Sequence, residues 1–428
     1  MKFFFAAFAV LVPVLTSASD AIPAPRQNGP VALVNGMIHP VSSPAIEGGT
    51  LVFEKGKITA VGKDVEVPEN AERVDLAGKH VYPGLFEAMS DIGLVEIRAV
   101  RATIDSNEAG SLNPNVKAWV SVNPDSEVIP VTRSNGVLLA VTAPAGGLLC
   151  GQAAILQLDG WTWEDMTLKA PVGLVANWPN IDKPDDTPHK TLDRLFEESR
   201  AYAASRKANP DAPTDLRYES LLPVLNRELP LIVDAEELEQ IQSAVAFADK
   251  HQVKLIVYGG YDAPLCANLL KSRDVPVIVG GVYRLPERRN DPYDAAYTLP
   301  QRLHAAGVTF CISGANRFGA SNARNLPYHA ATAAAYGLPA EEALRAITLA
   351  PAEILGVADR VGSLEPGKDA TLFIATGDTL ETATRVTAAY IQGRKLDLTD
   401  RHKQLYEKYR TKYERQDGRA ANEADHRE

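Results

Sequence analysis

Residues 336–357, YGLPAEEALRAITLAPAEILGV, run almost directly into residues 359–375, DRVGSLEPGKDATLFIA, and the change of pattern between them decides how the chain is organised. The first stretch reads as two helices, with Pro339 in a first turn, where its missing N–H leaves no bond unmade. The second reads as two short strands about the turn Glu365-Pro366-Gly367-Lys368. A further pair follows in RVTAAYIQGRKLDL (385–398), with Gly393 at its turn. Strands this short need partners to bury their apolar faces. The partners stand at the other end of the chain. VALVNGMIHPV (31–41) reads as strand, turn and strand. GGTLVFEKGKITAVG (48–62) reads as a hairpin about Glu54-Lys55-Gly56-Lys57, where glycine supplies positive φ. The two clusters predict one small composite β-sandwich formed by both chain ends, residues 31–82 plus 357–397.

Between them, residues 83–356 alternate strands with helices. LPLIVDA (229–235) is a continuous apolar run of the parallel-strand kind. The helix that follows carries Leu238, Ile241, Val245 and Ala248 at helical spacing. VKLIVYGG (253–260), VPVIVGG (275–281) and VTFCISG (308–314) repeat the unit, and LFEAMSDIGL, GVLLAVTAP and VGLVANW supply earlier strands. Repeated strand–helix units give a parallel sheet, and the length favours an α/β fold of the (β/α)8 TIM-like barrel kind. Residues 101–133 and 180–225 are polar and proline-rich and read as long βα loops covering the active face. Residues 398–428 read as a charged C-terminal helix and tail.

The chain has 428 residues, 45% hydrophobic and 23% charged, with 44 basic and 54 acidic side chains and a net charge of −10. No basic stripe appears, so nucleic acid is not an expected partner. Met1-Lys2 precedes FFFAAFAVLVPVL (3–15), which is shorter than the ~20 apolar residues of a membrane span and contains Pro13. Small residues follow at Ser17, Ser19 and Ala21. Residues 1–20 therefore read as a signal peptide and 21–30 as a linker, implying a periplasmic or secreted protein with no membrane attachment after cleavage. Cys150, Cys266 and Cys311 are far apart in apolar stretches and read as small buried hydrophobes.

Four stretches together resemble the amidohydrolase superfamily, in its imidazolonepropionase-like and dihydroorotase-like branch. They are GGTLVFEKGKITAVG, KHVYPGLFEAMSDIG, YGLPAEEALRAITLAPAEILGV, and DRVGSLEPGKDATLFIA with AYIQG, in the family's order from residue 31 to about 397. The resemblance implies hydrolysis of C–N bonds in amides or cyclic amides. It also implies one or two divalent metals at the C-terminal ends of the barrel strands, lowering the pKa of a bound water. Such a metal is held by an HxH at strand 1, a histidine at strand 5, a histidine at strand 6 and an aspartate at strand 8. In this chain those positions fall on Met89 and Asp91, on Asp234, on Tyr258 and on Ala315. No lysine stands at the end of a fourth strand. None of the eight histidines forms an HxH or closes a barrel strand, so the metal motif is absent.

The candidate catalytic residues are accordingly Asp91, Asp234 and Tyr258, with Glu87 as a further carboxylate. Asn316, Arg317 and Arg324 are the candidate substrate-binding residues after strand 8. Trp161 and Trp163 read either as a groove or as a satellite apolar cluster. No cofactor is expected, and zinc would be needed only if the lost-ligand reading fails. The sequence points to a non-catalytic family member acting as a binding or partner subunit. Its expected partners are a small-molecule ligand and another copy or a metal-containing paralogue. A hydrolase with a rebuilt or metal-independent carboxylate site and a structural envelope protein are the alternatives.

Overall fold

In the computed structural model the described residues are 21–180 and 186–425, without the side chains of 316–318 and 417–425. The expected signal peptide, residues 1–20, lies outside the described residues.

The smaller sheet grows from β1 (Val31–Ile38), β2 (Ile46–Glu54) and β3 (Lys57–Gly62), which run antiparallel. Lys55 and Gly56 both take positive φ, 51° and 78°, giving the two-residue turn that suits strand twist. On its other edge β1 serves two partners. Val31–Val34 pair with β4 (Glu72–Asp75), and Met37 and Ile38 pair with β5 (His80–Pro83). The switch comes at Asn35, with φ 58°, and at Gly36, where a Cβ would lie 2.2 Å from Leu76. The chain's far end adds β14 (Leu372–Ala375), β15 (Val386–Ile391) and β16 (Arg394–Lys395) beyond β5. The two chain ends thus share one continuous mixed sheet of eight strands, folded about one core, and not two separate layers. In β14 Leu372 and Ile374 face that core, whereas Phe373 and Ala375 pack on the barrel.

The barrel strands are β6 (Leu85–Ser90), β7 (Val137–Thr142), β8 (Leu149–Gln157) and β9 (Thr167–Asn177), then β10 (Leu231–Ala235), β11 (Leu255–Gly259), β12 (Val277–Val279) and β13 (Phe310–Ile312). They lie side by side in chain order, so the eight-stranded barrel expected from the sequence is present. Neighbours are parallel except at β8, which runs antiparallel to β7 and β9. Alternate residues face opposite ways: Ile232, Ile256, Ile278 and Cys311 fill the interior, while Leu231, Val257, Val277 and Ile312 meet the outer helices. Each such side chain stabilises the fold by roughly 1.5–3 kcal/mol on burial. Cys150, Cys266 and Cys311 are all buried and unpaired.

Two readings of the long connections need correction. Residues 187–208 and 216–225 are helices, packed through Leu192, Phe196, Leu221 and Val224 on the barrel's outer core, so this segment does not cover the mouth. The segment 101–133 does reach the mouth, through Ile104, Ser106 and Asn107. At the opposite end, buried Asp159 accepts from Arg133 at 2.8 Å, from Arg394 at 3.0 Å and from the backbone N–H of Ala24 at 3.1 Å. That cluster ties the linker, the barrel and the smaller sheet together. Trp161 is 66% exposed, and Trp163 joins a satellite apolar cluster beyond β8; neither lines the mouth.

Candidate functional site

A cavity of about 1180 Å³ opens at the C-terminal ends of the parallel strands. Asp234 and Tyr258 stand two residues beyond Ile232 and Ile256, so strand alternation turns both inward. They are direct neighbours across β10 and β11, and both line the cavity. Among the described residues neither the Asp234 carboxylate nor the Tyr258 hydroxyl has a hydrogen-bond or ion-pair partner. Asp234 is open to the cavity, but the barrel wall strips it of bulk water and Glu236 adds a like charge. Together these push its pKa up to about 6, against a smaller opposing pull from Arg284. Burial and the surrounding carboxylates raise Tyr258 far above the ordinary phenol range, so its hydroxyl remains a proton donor.

Asp91 also lines the cavity, but both its oxygens are committed. Oδ2 accepts from Arg98 at 2.5 Å and Oδ1 from the backbone N–H of Ala320 at 2.6 Å. This holds the turn after β13 over the end of β6. Gly319 in that turn has φ 65° and ψ −159°, and a Cβ there would lie 1.7 Å from Arg98 Nη2. Glu87 is fully buried and does not reach the cavity wall. Its Oε1 meets the Ser313 hydroxyl, and Oε2 accepts from Gly314 N–H at 2.8 Å. Burial pushes it up to about 7, although these bonds pull the other way. Ala315 is buried, gives its backbone N–H to Glu87 and has no side-chain ligand atom.

The substrate-binding expectations fare differently. The side chains of Asn316 and Arg317 lie outside the described residues. Arg324 does not line the cavity: its guanidinium contacts His402 Nδ1 at 2.9 Å, on the C-terminal helix Arg401–Asp425. The turn after β13 directs it outward. Sequence reasoning missed the charged groups that shape the wall. Glu236 accepts from Arg284 at 2.7 Å and from Tyr261 N–H at 3.1 Å. Arg284 also meets Glu287 and lies 5.1 Å from the Tyr261 ring centre. Arg288 pairs with Asp262 through Nη1 at 2.9 Å. Glu236 was accessible in principle, since it lies just beyond β10; Arg284 comes from a loop whose path the sequence does not specify.

A catalytic divalent metal needs about three nitrogen or oxygen ligands in tight geometry. The residues at the family's ligand positions do not fit one. Met89 offers a thioether, a poor ligand for a hard ion. Asp91 has both oxygens engaged, Tyr258 holds its proton, and Ala315 has nothing to offer. Asn177, at the end of β9, spends its amide on the carbonyls of Ala145 and Gly147 at 2.9 and 2.7 Å. Asp234 alone is free. Among the described residues no three His, Cys, Asp or Glu side chains converge as a metal site.

The sequence profile of the amidohydrolase family matches residues 293–396. An amidohydrolase structure from Thermotoga maritima superimposes with a TM-score of 0.79 at 26% identity, covering 86% of this chain and 99% of that one. Residues 293–396 thus carry an amidohydrolase-family domain, on a fold shared with an amidohydrolase structure. An imidazolonepropionase from Mesorhizobium japonicum is 23% identical over 375 residues, covering 77% of this chain and 86% of that enzyme. The amidohydrolase TasK of Hapsidospora irregularis is 21% identical over 392 residues, and this chain spans only 39% of its length. Within the superfamily frame, Asp234 and Tyr258 occupy the strand-end positions from which a barrel presents its chemistry.

Proposed function

We propose that this amidohydrolase-superfamily chain works without a catalytic metal, as an exported binding or partner subunit that holds a small molecule in the barrel mouth. One observation carries the reading. Of the carboxylates nearest the strand ends, Glu87 and Asp91 are used up in cross-strand bonds, and Asp234 alone is left to meet a ligand. A single carboxylate cannot grip a dication in the way water activation requires. The export part rests on the N-terminal Met1-Lys2 and the apolar run after it. Elemental analysis of the purified native protein tests the proposal: zinc, iron, nickel and manganese are expected well below one equivalent. One tightly bound equivalent would overturn it.

A second reading is favoured by the pairing of Asp234 with Tyr258. A carboxylate near pKa 6 beside a protonated phenol has the makings of a general base and a hydrogen-bond donor. In that case hydrolysis of a dihydroorotate, imidazolone or dipeptide substrate would occur without added metal and would vanish in Asp234→Asn. No turnover by the native protein would remove this reading and leave the first.

A further inference from the structure

We infer that the ligand of the barrel mouth presents a cationic nitrogen, an ammonium, amidinium or guanidinium group, to Asp234. The inference rests on the mouth being a ligand site, as proposed above, and adds the chemical class. The argument is a matching of charges. Arg98 is taken by Asp91, Arg284 by Glu236 and Glu287, and Arg288 by Asp262 and Asp291. Glu237 turns its carboxylate to the helix it caps, accepting the backbone N–H of Gln240. Among the described residues every cation on the wall therefore has its anion, and Asp234 is the carboxylate without a hydrogen-bond or ion-pair partner, facing open cavity.

The three ligand classes have different consequences here. An anionic ligand would have to displace an existing arginine pair and lie near an unpaired carboxylate. A neutral ligand can offer Asp234 uncharged N–H or O–H donors, roughly half as strong as charge-assisted ones, and leaves its charge unbalanced in the mouth. A cationic nitrogen offers charge-assisted N–H donors to a carboxylate that has none. The Tyr258 oxygen, at the same register, can accept a further N–H from the same group. Tyr261, Tyr283 and Tyr297 line the cavity and give its organic frame aromatic surface. At about 1180 Å³ the space suits an organic cation rather than a bare ion.

The test compares benzamidinium with its neutral counterpart benzamide, and with benzoate, by calorimetric titration of the full-length protein and of Asp234→Asn. Benzamidinium is expected to bind at least about ten-fold more tightly than benzamide, with that margin lost in Asp234→Asn and restored in Asp234→Glu. Equal binding of benzamidinium and benzamide, tighter binding of benzoate, undiminished binding of benzamidinium to Asp234→Asn, or no binding of any probe would overturn the inference. The two proposals fail separately. Selective uptake of benzamide or benzoate would sink the cationic class and keep the ligand site. A bound metal equivalent would sink the metal-independent reading, whatever the probes do.

Discussion

Replacing Glu87 by glutamine should make the barrel's stability less sensitive to pH. Ser313 has one hydroxyl proton, and its Oγ lies 3.0 Å from the carbonyl oxygen of Met89, which can only accept. That proton is shared between Met89 O and Glu87 Oε1, and Gly314 N–H donates to Oε2, so these bonds favour the ionised carboxyl. Full burial in the barrel wall opposes those bonds, is the larger effect and favours the neutral carboxyl. Its folded pKa is raised from 4.5 to about 7, a difference of roughly 3 kcal/mol between the two protonation states. The sign follows from the raised value. The folded protein binds the proton more tightly than the unfolded chain, so the contribution is full below the unfolded pKa and is lost as pH rises through about 7. Glutamine keeps a neutral donor and acceptor in the same place and does not ionise. Urea unfolding of both proteins should show their stability difference moving in favour of Glu87→Gln between about pH 5 and about pH 8, by up to roughly 3 kcal/mol. The slope is the readout, since a constant offset would report only packing. Parallel stability curves over this range would refute the reasoning.

Two other substitutions probe the turn beside the mouth and the cluster at the opposite end of the barrel. Gly319→Ala places a side chain in a conformation that essentially only glycine adopts and drives it into the Arg98–Asp91 pair, so a loss of roughly 1–3 kcal/mol is expected by thermal or chemical unfolding; an unchanged midpoint would show that the turn is not held as described. Asp159→Ala leaves buried Arg133 and its neighbour Arg394 without their shared anion, and unfolding should report a loss of roughly 3–5 kcal/mol, against a small change if the cluster is energetically idle.

The fold was legible because its periods are plain. Helices 340–345 and 349–354, the Lys55-Gly56 turn and the inward alternation of β10 and β11 all follow from local pattern. Placing Asp234 and Tyr258 in the mouth needed nothing more than that alternation. The antiparallel β8 was not legible, because an apolar run reads the same in either direction. Nor could the sequence show that Arg324 turns outward to His402, or that Asp91 is bound by Ala320. Those contacts join residues 78 and 229 positions apart and depend on how the turn after β13 folds.

The fate of Glu87 and Asp91 follows from how this barrel closes. β6 and β13 stand at the two ends of the sheet, with no ladder between them. Lower down, the gap is bridged by the chain after the Ala340–Arg345 helix: Phe86 N–H donates to Ile347 and Ile312 N–H to Ala346, at 2.8 and 3.0 Å. Toward the mouth that bridge ends, and side chains of β6 and the residues just after it take over. Glu87 reaches Ser313 and Gly314; Asp91 reaches Ala320. A carboxylate held this way cannot also carry protons to and from a ligand without opening the seam. A catalytic pair of Asp91 with Asp234 is therefore at odds with the closed barrel. Any chemistry or recognition in the mouth must begin from the β10–β11 side, where Asp234 and Tyr258 have no such duty.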